Sequence, residues 1–241
     1  NPTVQEKRLT LKFVGTISAA LILAVGVGYG LSLVGSGLSE RSGNSITVTG
    51  SANTYASADN VVWTLNVQEM TAQVSAAVSK VGSSVDALNS YLIKGGLPEG
   101  AIEVGGVTTY PNYEYQNGNS TGRILNYQAN QDVTVRSSDV ELVKKLSNGM
   151  GTILQTGVNI NNYGPQFYVS NLADLRPKLL AEATRDAKKR GQSITDAVGS
   201  KLGAVLAVSS GPVQVTAPDS VDISAGGMYD TSSIEKTVSV T

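Results

Sequence analysis

Few residues in this chain combine the type and spacing that chemistry requires. Ser233-Ile234-Glu235-Lys236 reads S-x-x-K, the spacing in which a lysine activates a serine nucleophile at the start of a helix. Here it stands at a loop-to-strand junction without the companion motifs of such enzymes, so only the spacing matches. Asp219 with Asp222, and Glu99 with Glu103, offer paired carboxylates. Such pairs suit calcium binding or acid–base work, but neither has an EF-hand arrangement and solvated loops account for both. Arg185, Lys188, Lys189 and Arg190 cluster within six residues. They could meet lipid headgroups or an acidic partner. They also suit the polar face of a helix, with Asp186 and Arg190 paired at i,i+4.

What is missing narrows the chemistry further. The 241 residues contain no histidine and no cysteine. Ser-His and Cys-His triads are therefore excluded, as are the commonest general base near neutral pH and the commonest metal ligand. Disulfides and cysteine-ligated zinc go with them. A formal net charge of −1 supplies no global field for nucleic acid. No catalytic residue, cofactor or metal is expected.

Aromatic residues are scarce, yet four of the ten tyrosines fall between Thr108 and Ala129: Tyr110, Tyr113, Tyr115 and Tyr127. A cluster beside a Gly/Asn-rich loop suits either a cleft for a small apolar molecule or glycan, or a hairpin. Around Asn117-Gly118, pairing Tyr115 with Leu125 puts Tyr113 opposite Tyr127, on a face continued by Ala129, Val133 and Val135. Tyr110 points to the other face, and Pro111 marks an edge or bulge. Such an aromatic face needs a protein partner, at a subunit contact or in the core.

These residues depend on the elements that carry them. Phe13 to Ser39 contains no charge, and its apolar part, residues 13–34, is long enough to span roughly 30 Å of hydrocarbon. Lys7, Arg8 and Lys12 precede it, which places residues 1–12 in the cytoplasm and the rest outside. No A-x-A cleavage site follows, so an uncleaved single-pass signal anchor is expected. Ala20, Ala24, Gly28 and Ser32 recur every fourth residue, with Gly15–Ala19 and Gly26–Gly30 as further pairs. Stripes of this kind let membrane helices approach closely and self-associate.

Residues 35–45 read as a flexible linker, and residues 46–241 as the exported domain, with a subdomain split near 137. The alternation in "SITVTG" and "NVVWTLNVQ" predicts strands. Val74, Val78, Val81, Val85, Leu88 and Leu92 predict a helix from about 71 to 94, stopped by Gly95-Gly96. Strands follow over about 102–115 and 123–135. A capping box at Ser138–Glu141 opens a helix to about 154, and a strand is expected near 166–171. The next helix, capped by Asp174 with Pro177 in its first turn, carries a stripe of Leu179, Ala183, Ala187, Ile194, Val198 and Leu202, with a bend at Gly191. "AVLAVSS", a short run at 213–215 and "EKTVSVT" complete the strands. The order ββαββαβαββ predicts an α+β fold, with helices on one face of mainly antiparallel sheets.

Two stretches carry a resemblance: "ITVTGSANTYASADNVVWTLNV" and "LLAEATRDAKKRGQSITDAVGSKLGAVLAVS". Ile46, Val48, Gly50 and Asp59 match an I-x-V-x-G strand followed by an aspartate. Ala183, Ala187, Gly199, Leu202, Gly203 and Val205 match an alanine-rich helix ending in G-x-x-L/V-G-x-V. With the final "KTVSVT", the sequence resembles the SIMPL-domain family of bacterial periplasmic proteins over most of residues 46–241. Gly191 and Thr195 stand where the family usually has alanine, and Ala58 where it usually has proline. The resemblance implies an α+β fold in the periplasm, homo-oligomeric rings or channel-like assemblies in some members, links to stress responses, and no established catalytic site. Together with the anchor it implies a bacterial inner-membrane protein whose partners are its own copies and lipid.

Overall fold

The computed structural model describes residues 45–222 and 224–241. The expected anchor, with its small residues from Gly15 to Ser32, lies outside that range. Among the described residues no helix is long and apolar enough to cross a membrane. The fold is α+β, with antiparallel strand pairing in two sheets and one isolated parallel bridge between Val215 and Tyr229.

The larger sheet is organised by β2 (Asn60–Thr71), which pairs antiparallel with β5 (Asn119–Ser137) from Val61↔Ser137 to Thr71↔Tyr127. Alternation along β2 sends Val61, Trp63, Leu65 and Val67 into the core, all at most 1% exposed. Ala129, Val133 and Val135 of β5 join them. Trp63 keeps its polar end satisfied, since Nε1 donates to Asn162 Oδ1 at 2.9 Å. Short strands complete the sheet: β3 (Ile102–Val104) and β4 (Thr108–Gln116) pair with β5, and β6 (Ile160–Asn162) and β7 (Gln166–Tyr168) pair with β2.

One face of this sheet is covered by α1 (Val74–Lys94) through Ala77, Val81, Val85, Leu88 and Leu92. Val74 and Val78, expected in the stripe, are 39% and 38% exposed, so burial begins about a turn later than the periodicity suggests. The helix ends as its glycines require. Gly96 takes φ +110°, Leu97 N–H donates to Leu92 O, and Gly96 N–H donates to Ile93 O, the paired bonds of a Schellman stop. The next helix, α2 (Val140–Asn148), is capped by Asp139, whose Oδ1 accepts from Leu142 N–H at 2.9 Å. The cap therefore falls one residue after the expected Ser138. A break at Gly149 separates α2 from the one-turn α3 (Gly151–Leu154). A Cβ at Gly149 would lie 2.7 Å from the Tyr91 hydroxyl.

The smaller sheet brings together the two ends of the domain, in the order β1 (Ala52–Ser57), β9 (Glu235–Val240), β8 (Gln214–Thr216). It packs on α4 (Leu172–Ala197) through Leu179, Ala183, Val215, Val238 and Val240. Four sequence expectations fail here. The first strand starts at Ala52 rather than Ile46, because its partner ends with Val240 opposite Ala52. The helix starts before Asp174, at Leu172 after Asn171. Gly191 and Thr195 are buried within it, while Ile194 and Val198, expected in its core stripe, are 47% and 73% exposed. The buried side of the last turns of α4 thus passes through Gly191 and Thr195 rather than through the predicted stripe. Finally, "AVLAVSS" forms no strand, and residues 201–213 carry no regular structure.

Gly50 fixes how closely the helix approaches. A Cβ there would lie 2.0 Å from Ala183 O, 2.4 Å from Ala187 N and 2.7 Å from Ala187 Cβ. The two helical alanines and the glycine thus form one contact that admits no larger side chain. Beside it, Ser51 N–H donates to Asp186 Oδ2 at 2.9 Å.

Candidate functional site

The S-x-x-K residues come together, but not as a nucleophile and its base. Ser233 Oγ donates to Asp230 Oδ2, while Lys236 Nζ donates to the Ser233 and Asp230 carbonyls, each at 2.6 Å. Lys236 is fully buried, on the same side of β9 as Val238 and Val240. Its ammonium lies 3.5 Å from Asp230 Oδ2 and 5.8 Å from the Tyr229 ring centroid. Burial pushes the Lys236 pKa down, against the pull of Asp230. Around Asp230, burial favours the neutral acid, but bonds from Ser232 and Ser233 and the charge of Lys236 outweigh it, so the carboxyl stays well below the usual range. Serine, aspartate and lysine hold one another in place, and no hydroxyl is presented to a substrate. The signal for this buried lysine was visible in "EKTVSV", where Lys236 shares the parity of the inward valines.

The other charged candidates stay apart. Asp219 and Asp222 lie on an exposed loop. Glu99 and Glu103 are exposed as well, and Glu103 approaches Arg136 at 3.9 Å. No group of three or more potential metal-ligating acids forms among the described residues. Arg185, Lys188, Lys189 and Arg190 lie on the exposed side of α4. Arg190 is held by Asp186 at 2.8 Å, the expected i,i+4 pair, and also donates to Ser51 Oγ. Asp59 has a structural role: its Oδ1 accepts from Ser170 N–H at 2.9 Å and its Oδ2 from Ser170 Oγ. The Ser170 hydroxyl bond is the main reason that the Asp59 carboxyl titrates below its ordinary value.

Tyr113 and Tyr115 lie on a projecting arm, with Tyr110 and Tyr127 at its base. Thr71↔Tyr127 is the last rung that β2 shares with β5, so residues 119–126 pair with β4 alone. This two-stranded extension is roughly 25 Å long at 3.3 Å per residue. Asn117-Gly118 forms its tip, with φ +50° and +82°, the left-handed pair of a two-residue hairpin turn. That tight turn sets Gln116↔Asn119 and Tyr115↔Ser120, and overturns the expected register. Tyr113 pairs with Ile124 and Tyr127 with Pro111. The surplus residues of β5 are absorbed by irregularities around Tyr113, close to Gly122 at φ +77°.

Large apolar groups cover the arm without cover of their own. Tyr113 is 41% exposed, Tyr115 68%, Ile124 39% and Leu125 51%, while Tyr127, nearer the sheet, is half-buried. Polar ties stiffen the arm: Arg123 and Thr121 both bond the Glu114 carboxylate, and Asn112 Nδ2 donates to Asn126 Oδ1 at 2.6 Å. An open cavity of about 570 Å3 lies elsewhere, between Arg176 and Leu180 of α4, Pro212, Val213 and Tyr229, and none of the arm tyrosines lines it.

The close contact of Gly50 with Ala183 and Ala187 and the Asp59 tie give a physical role to part of the motifs that carry the resemblance, and the family description matches residues 46–241. The chain belongs to the SIMPL family. That family is described as protein of unknown function (DUF541). No curated protein matches the chain. Within this SIMPL domain, sequence reasoning missed the exposure of Val205, Leu206 and Val208 at 73%, 75% and 68%. Their apolar run was visible, but the lack of a partner strand among the described residues was not.

Proposed function

We propose that this SIMPL protein is a non-enzymatic scaffold, anchored by residues 13–34 in a bacterial inner membrane, whose periplasmic domains homo-oligomerise into a ring or channel-like assembly serving envelope integrity or stress responses. The observation that carries this reading is the arm. A two-stranded hairpin is marginally stable by itself in water, and this one displays Tyr113, Tyr115, Ile124 and Leu125 to solvent. Aromatic groups on a projecting element are the usual anchors of a protein contact. An arm that reaches from one copy onto another surface of the next makes a head-to-tail contact, and such contacts form rings when the rotation between copies closes. The charge-free run from Phe13 to Ser39 supports the anchor. The interlocked Ser233–Asp230–Lys236 cluster supports a non-catalytic role.

Mass photometry of the detergent-solubilised full chain tests the proposal. Defined oligomers are expected at micromolar concentration. Changing Tyr113, Tyr115 and Leu125 together to serine should reduce them to smaller species while the circular dichroism of the fold is kept. A wild-type monomer at that concentration would overturn the proposal.

A further inference from the structure

The cavity of about 570 Å3 beside the first turns of α4 falls within the size range of small-molecule sites. Its lining is one-sided in charge. Among the described residues Arg176 is the single charged group that lines it. No described carboxylate pairs with that guanidinium. The remaining walls are largely apolar: Leu180, Pro212, Val213, Met228 and the Tyr229 ring, reaching inward to the buried Val240.

These walls are held in place by the small sheet. Val215 N–H donates to Met228 O and Asp230 N–H donates to Val215 O, both at 2.8 Å, which ties the Met228–Asp230 stretch to β8. Gly211 N–H donates to Thr241 O at 2.7 Å, which ties the approach to Pro212 to the end of β9. Gly227, at φ +91°, comes so near Pro212 that a Cβ there would lie 3.3 Å from the proline Cβ. The Tyr229 hydroxyl accepts from Val169 N–H at 2.8 Å, and its ring lies 5.8 Å from that of Tyr168. A cavity held in this way requires little ordering when a ligand enters.

A guanidinium presents a planar fork that matches a carboxylate in two parallel hydrogen bonds. One such cation without an acid beside it suits a single negative charge and disfavours a cationic ligand. The apolar walls suit an uncharged hydrocarbon body, and the Tyr229 ring suits an aryl one. We infer that this cavity binds a small monocarboxylate with an apolar body, its carboxylate on Arg176 and its body against Leu180, Val213 and Tyr229. The site shares no residue with the arm and does not depend on the oligomer.

Isothermal titration of the full chain in detergent with phenylbutyrate, against a blank of detergent alone, tests the inference. Saturable binding at about millimolar affinity or tighter is expected for an acid of this size. Phenylbutanamide keeps the body and removes the charge, and Arg176→Gln removes the cation. Each should weaken binding by about tenfold or more. Arg176 is exposed, so its replacement leaves the fold intact, which circular dichroism checks, and mass photometry should show the oligomers of the wild type. Leu180→Glu places a carboxylate four residues after Arg176, as an internal partner for the guanidinium, and should also suppress binding. Hexanoate in place of phenylbutyrate distinguishes the two kinds of body: tighter binding of hexanoate assigns an aliphatic acid, and tighter binding of phenylbutyrate an aryl acid. No saturable binding of either acid to the wild type would overturn the inference. So would equal affinity of wild type and Arg176→Gln, or an amide bound as tightly as the acid.

Discussion

Gly50→Ala tests the tightest contact in the protein. The added methyl would lie 2.0 Å from Ala183 O and 2.4 Å from Ala187 N. Both are backbone atoms of α4, so no rotamer change relieves the clash, and the helix must retreat by about 1 Å or more. Overpacking of this kind costs about 1–3 kcal/mol. A retreat of that size also takes a quarter to a half of the dispersion attraction from contacts it opens, which here include Leu179 and Ala183 against Val238 and Val240. The Ser51–Asp186 bond at 2.9 Å would stretch with them. The sum is a destabilisation of about 2–4 kcal/mol, or roughly 5–15 °C in Tm for a domain of this size. Urea unfolding followed by circular dichroism measures it. A double variant with Ala187→Gly removes the Ala187 Cβ, 2.7 Å away, but leaves the Ala183 carbonyl and the Ala187 backbone nitrogen, and should recover less than half of the loss. A Gly50→Ala protein within 0.5 kcal/mol of wild type would refute the argument that this glycine sets the helix-to-sheet distance.

Two further outcomes follow from the polar contacts. Asp230 titrates well below its unfolded value near 3.9, so its charged form contributes stability that is fully present above that value and is lost as pH falls through the folded-state range. Asp230→Asn should therefore be less stable than wild type at pH 7, with a gap that narrows progressively below about pH 4, read as urea midpoints across pH. At the start of α2, Asp139→Ala should cost about 1 kcal/mol while Ser138→Ala stays within about 0.5 kcal/mol, because the cap bond belongs to Asp139. Equal losses by thermal melting would restore the expected capping box.

What could be read from the sequence was what local periodicity encodes. Val61 to Val67 alternate because one face of β2 is buried, and Val81 to Leu92 recur because one side of α1 is. Gly95-Gly96 stops that helix by a bond pattern confined to six residues. The misreadings concern what lies opposite. Ile46 and Val48 alternate like a strand, yet β9 ends opposite Ala52. Ile194 and Val198 keep the helical period but are exposed, and the buried side of those turns carries Gly191 and Thr195 instead. In the arm, the turn residues Asn117-Gly118 were legible, but the two-residue tightness of the turn shifted every pair above it, because register is a property of two strands. Lys236 had the parity of a core residue, and only the positions of Asp230 and Ser233 explain how a lysine can stand there.

The pairing of β1 with β9 also sets a timetable for synthesis. Ser57 Oγ donates to Glu235 Oε1 across 178 positions of sequence, and every rung between these strands spans a similar distance. At about 5–20 residues per second, β1 is made roughly 10–35 s before its partner exists. During that interval α4 can meet β1 and Gly50 but not Val238 and Val240 of β9, so its packing stays incomplete. The larger sheet is complete in sequence by Tyr168 and can form earlier. The synthesis of β9 therefore decides when the domain becomes whole, and the newborn chain must be kept from other open edges until Val240 arrives.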